Sequence, residues 1–307
     1  KECLAAMKHE TVPRLTALDF AEIRQMRELV SDNLDHFVGM CLDVPQLMSL
    51  WKYYTRGSLH DVVMKGSIMI DNFSVFALMR DIAMGLHYIH RSFLKYQGFL
   101  TSKCCLVDGK WQAKISDYGL QEVRMSDKRS PEGLLWTAPE ILRNNDMIGS
   151  KEGDIYSFAI ICAEVVTKSW PWNLNNRKED ATGFELSNSP VLSLKSDLLL
   201  SEILYMVKKG GHPYTCPELM TDGEMEVNPS LIHLICDCWT ERPTITMVKS
   251  QMNSMDSRQV AEKLKLGKSV EPETFDSVTV FFSDVVSFTS IAAKGTPLQD
   301  LMYIDYS

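Results

Sequence analysis

The segment LKYQGFLTSKCCLVDGKWQAKISDYGL, residues 94–120, decides how the rest of the chain is interpreted. Two short β-prone runs, Cys105–Val107 and Trp111–Ile115, lie on either side of Asp108-Gly109, a dipeptide common in hairpin turns. The predicted hairpin is followed directly by Asp117-Tyr118-Gly119. An isolated Asp-x-Gly is most often a simple turn, so its meaning depends on the elements on either side of it.

Predicted strands concentrate before this hairpin, and helices dominate after it. Runs rich in β-branched, aromatic or other apolar residues predict strands at 3–7, 37–41 and 47–54. Apolar residues at helical spacing predict helices at 18–29, 75–89, 155–166, 198–207, 231–239 and 245–255. This order indicates an α+β fold with a small sheet lobe and a larger helical lobe.

The composition is typical of a soluble globular protein, with 45% hydrophobic and 23% charged residues among 307. The net charge is −8 without a long basic run, which argues against a nucleic-acid partner. The 8 cysteines lack the paired spacing of a zinc site, and reduced thiols fit a cytosolic setting. The longest apolar stretch, 158–166, contains Glu164 and is too short to span a bilayer. Because the chain starts without Met or an apolar leader, we expect a fragment of a longer protein.

Several short motifs follow one another in a fixed order along the first 250 residues. They are Ala5–Lys8, Glu22 within a predicted helix, Asp117-Tyr118-Gly119, Ala138-Pro139-Glu140, Asp154–Phe158, and Cys238-Trp239 with Arg242-Pro243. Each motif alone is weak, but their order resembles that of a protein kinase domain entered at its third strand. The resemblance implies a two-lobed, protein-kinase-like fold.

The catalytic loop of a kinase reads H-R-D-L-x-x-x-N, and residues 97–104 fit that frame here. Phe99 stands where the catalytic Asp is expected, and Cys104 stands where the metal-binding Asn is expected. Phe cannot accept the proton of a substrate hydroxyl, and a thiol is a poor Mg²⁺ ligand. The resemblance therefore implies a pseudokinase whose kinase-like domain has no catalytic residue. His90-Arg91-Ser92 is a false match because it lies too early in the chain.

Nucleotide binding is a separate question, because Lys8, Glu22 and Asp117 remain at the positions that hold ATP phosphates and one Mg²⁺ in kinases. Two interpretations stay open. One is a pocket that binds ATP as an allosteric ligand, and the other is a Lys8–Glu22 ion pair that only fixes the helix. Trp51 falls at the gatekeeper position, where its bulk is expected to crowd the adenine pocket. The glycine-rich loop of a kinase would precede residue 1.

Residues 261–292, AEKLKLGKSVEPETFDSVTVFFSDVVSFTSIA, contain a predicted strand at 277–282. This segment closely resembles the start of a class III nucleotide cyclase domain. Its part from Glu271 to Thr279 resembles receptor-type guanylate cyclases in particular. The resemblance implies three regions: a pseudokinase domain at 1–250, a shortened linker or helix at 251–272, and an N-terminal cyclase fragment at 273–307.

A pseudokinase followed by a cyclase is the intracellular order of those receptors. The resemblance implies a parent enzyme that makes cyclic GMP from GTP with Mg²⁺ or Mn²⁺ and works as a homodimer. It also implies a cell-membrane location through a segment outside this chain, with this region on the cytoplasmic side. Asp284 matches the carboxylate that binds two metal ions, and the carbonyl of Val285 matches a backbone ligand. Because two-metal catalysis requires at least one more carboxylate, we expect this chain alone to be inactive.

The chain departs from the cyclase pattern in two places. Ser287 replaces a glycine of the family motif, and the interval from Arg242 to Phe275 is too short for the family's dimer-forming helix. These departures keep an alternative open, in which the chain is a non-catalytic pseudokinase scaffold with a vestigial cyclase tail.

Overall fold

The computed structural model describes residues 3–11, 13–42, 47–64, 72–127, 129–144, 148–170, 172, 190–210, 216–217, 219 and 228–265. The chain divides into two compact units, residues 1–259 and 260–307. The predicted strand at 277–282, the metal ligands Asp284 and Val285, and Ser287 lie outside the described residues.

The smaller part of the first unit is a three-stranded antiparallel sheet with one helix. The strands are β1 (Leu4–Lys8), β2 (Phe37–Cys41) and β3 (Met48–Lys52), in the spatial order β1-β3-β2. Helix α1 (Ala17–Arg27) connects β1 to β2 in the chain. It begins with a capping box, in which the Thr16 hydroxyl accepts from the Asp19 amide and the Asp19 carboxylate accepts from the Thr16 amide at 2.6 Å.

The larger part is mainly helical, with a two-stranded ribbon between its helices. Its elements in chain order are α2 (Leu59–Met64), α3 (Asn72–Arg91), β4 (Cys105–Val107), β5 (Ala113–Ile115), α4 (Gln121–Ser126), a 3₁₀ helix (Glu132–Trp136), α5 (Pro139–Arg143), α6 (Lys151–Thr167), α7 (Pro190–Lys209), α8 (Pro229–Thr240) and α9 (Ile245–Lys265). Helix α6 packs against α3 and α8, and every residue from 153 to 166 is buried. This part of the molecule is therefore built around α6.

The predicted architecture of a small sheet lobe and a larger helical lobe is confirmed. Each predicted strand or helix within the described residues corresponds to an observed one. The prediction of a two-residue turn at Asp108-Gly109 is wrong in the length of the loop. The loop runs from Asp108 to Gln112, because the Asp108 carboxylate accepts from the amides of Lys110 at 2.9 Å and Gln112 at 3.0 Å. Trp111, predicted in the strand, takes a left-handed conformation with φ of 63°.

No helix in the described part of the chain combines the length and the apolar character needed to cross a membrane.

Candidate functional site

The loop at residues 97–104 is held in place by a buried carboxylate below it. Asp154, in the first turn of α6, is 1% exposed. Its Oδ1 accepts from the Gly98 amide at 2.7 Å, and its Oδ2 accepts from the Gln97 amide at 2.7 Å and from His90 Nε2 at 2.9 Å. His90 therefore supports the loop from α3. Three donors satisfy the charge that burial would otherwise penalise.

Gln97 connects this loop to the Asp117-Tyr118-Gly119 segment. Its side chain is buried, and its Nε2 donates to the backbone carbonyl of Asp117 at 3.0 Å. Its Oε1 accepts from the Phe99 amide at 2.7 Å. A single amide side chain thus fixes both the backbone of the loop and the backbone that carries the Asp117 carboxylate.

Phe99 occupies the position expected for a catalytic base, and its ring contacts two cations. The guanidinium carbon of Arg124 lies 4.3 Å from the ring centroid, and that of Arg129 lies 3.6 Å from it. These are cation–π distances, which favour a charged guanidinium over an aromatic face. Burial and the neighbouring Arg124 lower the pKa of Arg129 to about 10, so the Arg129 side chain stays charged at neutral pH. No group in this arrangement accepts a proton from a substrate hydroxyl.

Cys104 occupies the position expected for a metal ligand, but its sulfur is engaged within its own loop. The Sγ accepts from the Thr101 amide at 3.1 Å and donates to the Thr101 carbonyl at 3.1 Å. The thiol is therefore a structural element of the turn that precedes β4.

Asp117 has a left-handed backbone, with φ of 50°, and its side chain is 24% exposed. The carboxylate Oδ1 lies 3.5 Å from Nε of Arg124, so the two side chains form an ion pair. Burial raises the pKa of Asp117, while the charges of Arg124 and His9 act in the opposite direction. The neighbouring Tyr118 ring is fully buried, and its hydroxyl donates to the Asp35 carbonyl at 2.7 Å.

Lys8 and Glu22 do not form the ion pair that one interpretation of the sequence required. Within the described residues no salt bridge joins them, and Lys8 is exposed on β1. Glu22 Oε1 instead accepts from the Leu120 amide at 2.9 Å. Burial raises the pKa of Glu22, and this hydrogen bond opposes the effect. The structure thus joins α1 to the segment after Asp117 and leaves the Lys8 side chain at the surface.

Trp51 on β3 is buried in a chain of aromatic rings. Its ring meets those of Phe37 and Tyr118 edge to face, each with centroids 5.0 Å away. Its Nε1 donates to Ser49 Oγ at 3.0 Å, and His9 Nε2 bonds the same hydroxyl at 3.0 Å. The bulk of Trp51 is therefore used in packing the small lobe against Tyr118.

The hydrogen-bonded chain from Trp51 continues to the segment after α4. His9 Nδ1 lies 2.9 Å from Asp127 Oδ2, and Asp127 Oδ1 accepts from the Glu10 amide at 2.8 Å. With the proton on Nδ1, His9 donates to Asp127 and accepts from Ser49. The side chains of Trp51, Ser49, His9 and Asp127 are thus joined in one continuous series of hydrogen bonds. His9, Arg124 and Asp127 belong to no recognised motif, so the sequence offered no signal for their roles.

The residues around Asp117 do not fit a divalent cation. Mg²⁺ and Mn²⁺ prefer several hard oxygen ligands, and here the carboxylate faces a guanidinium while the second position is a thiol. Among the described residues, no cluster of three or more His, Cys, Asp or Glu side chains is arranged to hold a metal ion.

Comparisons with known proteins place these features in a family. The family model for "Protein tyrosine and serine/threonine kinase" matches residues 4–252. The chain belongs to this family. Receptor-type guanylate cyclase gcy-20 of Caenorhabditis elegans is 44% identical over 97% of this chain, gcy-14 is 45% identical over 97%, and gcy-7 is 41% identical over 97%. This kinase-like chain is therefore homologous to receptor-type guanylate cyclases, as its motifs indicate.

The chain spans about 30% of the length of these relatives. Because 97% of the chain is matched, the similarity continues past residue 252, where the kinase match ends. The alignment with gcy-20 extends over 351 residues, more than the 307 of this chain. The relative therefore has residues at positions where this chain has none, and the shortened linker at 251–272 remains a prediction.

Proposed function

We propose that this chain is the regulatory pseudokinase region of a receptor guanylate cyclase and that it transfers no phosphate. The observation that carries the proposal is the environment of Phe99, whose ring contacts the Arg124 and Arg129 guanidiniums where a kinase needs a carboxylate. Phosphoryl transfer depends on positioning and on charge stabilisation around a base and metal ions. Asp154 holds the backbone of this loop in position, but the loop carries Phe99 where the catalytic base is expected.

The regulatory part of the proposal rests on contacts between the two lobes. Glu22 of α1 holds the Leu120 amide, and His9 after β1 holds Asp127. A ligand that moved β1 or α1 would therefore change the segment that follows Asp117. A regulatory domain needs contacts of this kind, through which ligand binding at one site changes the conformation of another segment.

We propose that ATP binds in a cleft between the sheet lobe and the helical lobe, with Lys8, Glu22 and Asp117 around it. Lys8 supports the proposal because its ammonium group is exposed and, within the described residues, has no ion-pair partner. An unpaired ammonium group is a suitable point charge for a phosphate. Glu22 and Asp117 are already engaged by Leu120 and Arg124, so their part is to shape the cleft.

For the parent protein we propose the conversion of GTP to cyclic GMP by a homodimer in the cell membrane, with this region on the cytoplasmic side. Asp284 and the Val285 carbonyl would hold Mg²⁺ or Mn²⁺, which would activate the ribose hydroxyl and stabilise the triphosphate. The similarity to receptor-type guanylate cyclases that continues past residue 252 supports a cyclase segment after the kinase-like region.

The absence of phosphotransfer is tested by incubating the purified chain with labelled ATP, Mg²⁺ or Mn²⁺, and generic protein substrates. We expect no incorporation above that of a heat-denatured sample, because Phe99 cannot act as a base. The matched control is Asp117→Asn, since incorporation that persists in this variant comes from a contaminating kinase. Incorporation that disappears in Asp117→Asn would contradict the proposal.

A further inference from the structure

We infer that Arg124 takes the place of the divalent cation at Asp117, so that the kinase-like cleft holds no Mg²⁺ or Mn²⁺. The inference starts from the ion pair between Arg124 Nε and Asp117 Oδ1, at 3.5 Å. A guanidinium is permanently charged and presents its donors in a fixed plane, so it neutralises a carboxylate without any exchangeable ion.

Arg124 is held in this position by contacts on its other sides. Its Nη1 donates to the Gln97 carbonyl at 3.0 Å and to the Gly119 carbonyl at 3.4 Å, and its Cζ lies over the Phe99 ring. The side chain is 5% exposed. The two carbonyls belong to the catalytic-loop position and to the Asp117-Tyr118-Gly119 segment, so the guanidinium bridges both parts of the former active site.

Phe99 and Cys104 are both compatible with the ion pair between Arg124 and Asp117. A carboxylate at position 99 would compete with Asp117 for Arg124, whereas the aromatic face accepts both Arg124 and Arg129. The Cys104 sulfur is already bonded to Thr101. A cation placed at Asp117 would have one carboxylate as its protein ligand and would meet the positive charge of Arg124.

The charges around Asp117 come from several elements. Arg124 of α4 and His9 from the end of β1 act on it with positive charge, while Asp127, the residue after α4, acts on it with negative charge. The carboxylate of Asp127 is itself bound by His9 and by the Glu10 amide. The group available to neutralise Asp117 is thus Arg124.

The first experiment is a Mn²⁺ titration of the purified chain, monitored by the electron paramagnetic resonance signal of free Mn²⁺. All proteins carry Asp284→Asn, so that the cyclase segment contributes no site. We expect the parent and its Asp117→Asn variant to bind the same amount of Mn²⁺. Binding in the parent that Asp117→Asn removes would overturn the inference.

Substitution of Arg124 gives the second comparison. Arg124→Gln is expected to gain a Mn²⁺ site at least about tenfold tighter than any site in the parent, because the carboxylate loses its internal cation. The gain must vanish in the double variant with Asp117→Asn. Arg129→Gln is the matched control, since it contacts the same ring and should gain no site. A folded Arg124→Gln protein with no gain would overturn the inference.

A third variant covers the case in which Arg124→Gln fails to fold. Cys104→Asn restores a metal-ligand type of an active kinase while leaving Phe99 and Arg124 in place. We expect Mn²⁺ binding to stay at the level of the parent, because the guanidinium still occupies Asp117. Tight Mn²⁺ binding by this variant would show that Arg124 does not exclude the metal.

The nucleotide consequence rests on the proposed function and is tested separately. ATP should raise the melting temperature equally, within about 1 °C, in excess EDTA and in Mg²⁺, because no metal bridges Asp117 to the phosphates. A shift that requires Mg²⁺ would overturn the inference. No shift under either condition would remove ATP as the ligand of the proposed function, while the Mn²⁺ titrations would still decide the role of Arg124.

Discussion

At the scale of single residues, Asp35 is a buried carboxyl group with a raised pKa, next to the packed rings of Trp51 and Tyr118. Its carboxylate is 1% exposed, with Oδ2 accepting from Ser116 Oγ at 2.7 Å and Oδ1 without a hydrogen-bond partner. Its backbone carbonyl accepts from Tyr118. Burial is the largest influence and raises the pKa of Asp35 to about 7. The charged form is therefore disfavoured in the folded protein.

This pKa predicts a pH dependence of stability that belongs to one residue. The folded pKa of Asp35 lies above its unfolded value of 3.8, so its stabilising contribution is complete below pH 3.8 and is lost as the pH rises towards 7. We expect the free energy of unfolding of the wild type, relative to Asp35→Asn, to fall by up to about 4 kcal/mol between pH 4 and pH 7.5. Urea unfolding of both proteins at several pH values measures this difference. A difference that stays flat, or that rises with pH, would contradict the pKa assignment.

The residue scale also shows what sequence can and cannot predict. Phe99 and Cys104 were identified from the motif frame alone, because each is defined by its distance from Asp117 in the chain. Arg124 and Gln97 could not be identified in this way. Arg124 bonds to the carbonyls of Gln97 and Gly119, and the Gln97 side chain bonds to the carbonyl of Asp117. These hydrogen bonds exist only after the loop at 97–104 and the segment at 117–119 have folded together.

At the scale of elements, the short helix α4 (Gln121–Ser126) is fastened to the small lobe by the residue that follows it. Asp127 accepts from the amides of Glu10 and Thr11, at 2.8 and 3.4 Å, and binds His9. Helix α4 has six residues and no side-chain cap at its first turn. Helices of this length are marginal in isolation, so tertiary contacts of this kind decide whether it forms.

Removing this contact should loosen α4 and the end of β1 together. We expect Asp127→Ala to lower the free energy of unfolding by about 1–3 kcal/mol, since it leaves the Glu10 amide and His9 without their acceptor. Hydrogen exchange should accelerate at the Glu10 amide and through α4. The control is Glu122→Gln, an exposed residue of the same helix, which should change neither measurement. Unchanged exchange at Glu10 in Asp127→Ala would show that the contact does not stabilise this segment.

The same elements explain which parts of the fold were predictable. Long periodic stretches such as α3 and α6 were identified from their apolar spacing. The helices α2, α4 and α5 were not, because segments of six, six and five residues are too short to show a helical period. The hairpin loop was predicted in position but not in form, since the carboxylate of Asp108 stabilises a longer turn than the dipeptide suggests.

At the scale of the whole molecule, helix α6, which is buried from residue 153 to 166, supports the loop at residues 97–104. Helix α6 supplies Asp154 to the loop at 97–104 and also carries Glu164, which is fully buried. Glu164 Oε1 accepts from His60 Nδ1 at 2.7 Å and from Ser102 Oγ at 2.9 Å. The kinase framework thus keeps these internal polar contacts, although Phe99 and Cys104 stand at the positions expected for the catalytic Asp and the metal-binding Asn.

The last prediction concerns the cyclase activity proposed for the parent protein. In the full-length protein, Asp284→Asn should reduce cyclic GMP formation from GTP by at least about a hundredfold, because two-metal catalysis needs that carboxylate. Asp300→Asn, in the same segment and without an assigned role, is the control. Phe99→Ala should leave the chemistry at the cyclase site intact, since Phe99 belongs to the pseudokinase region. Cyclic GMP is measured with Mn²⁺ and saturating GTP. Full activity in Asp284→Asn would remove this residue from the metal site, and a silent full-length protein would favour the scaffold alternative.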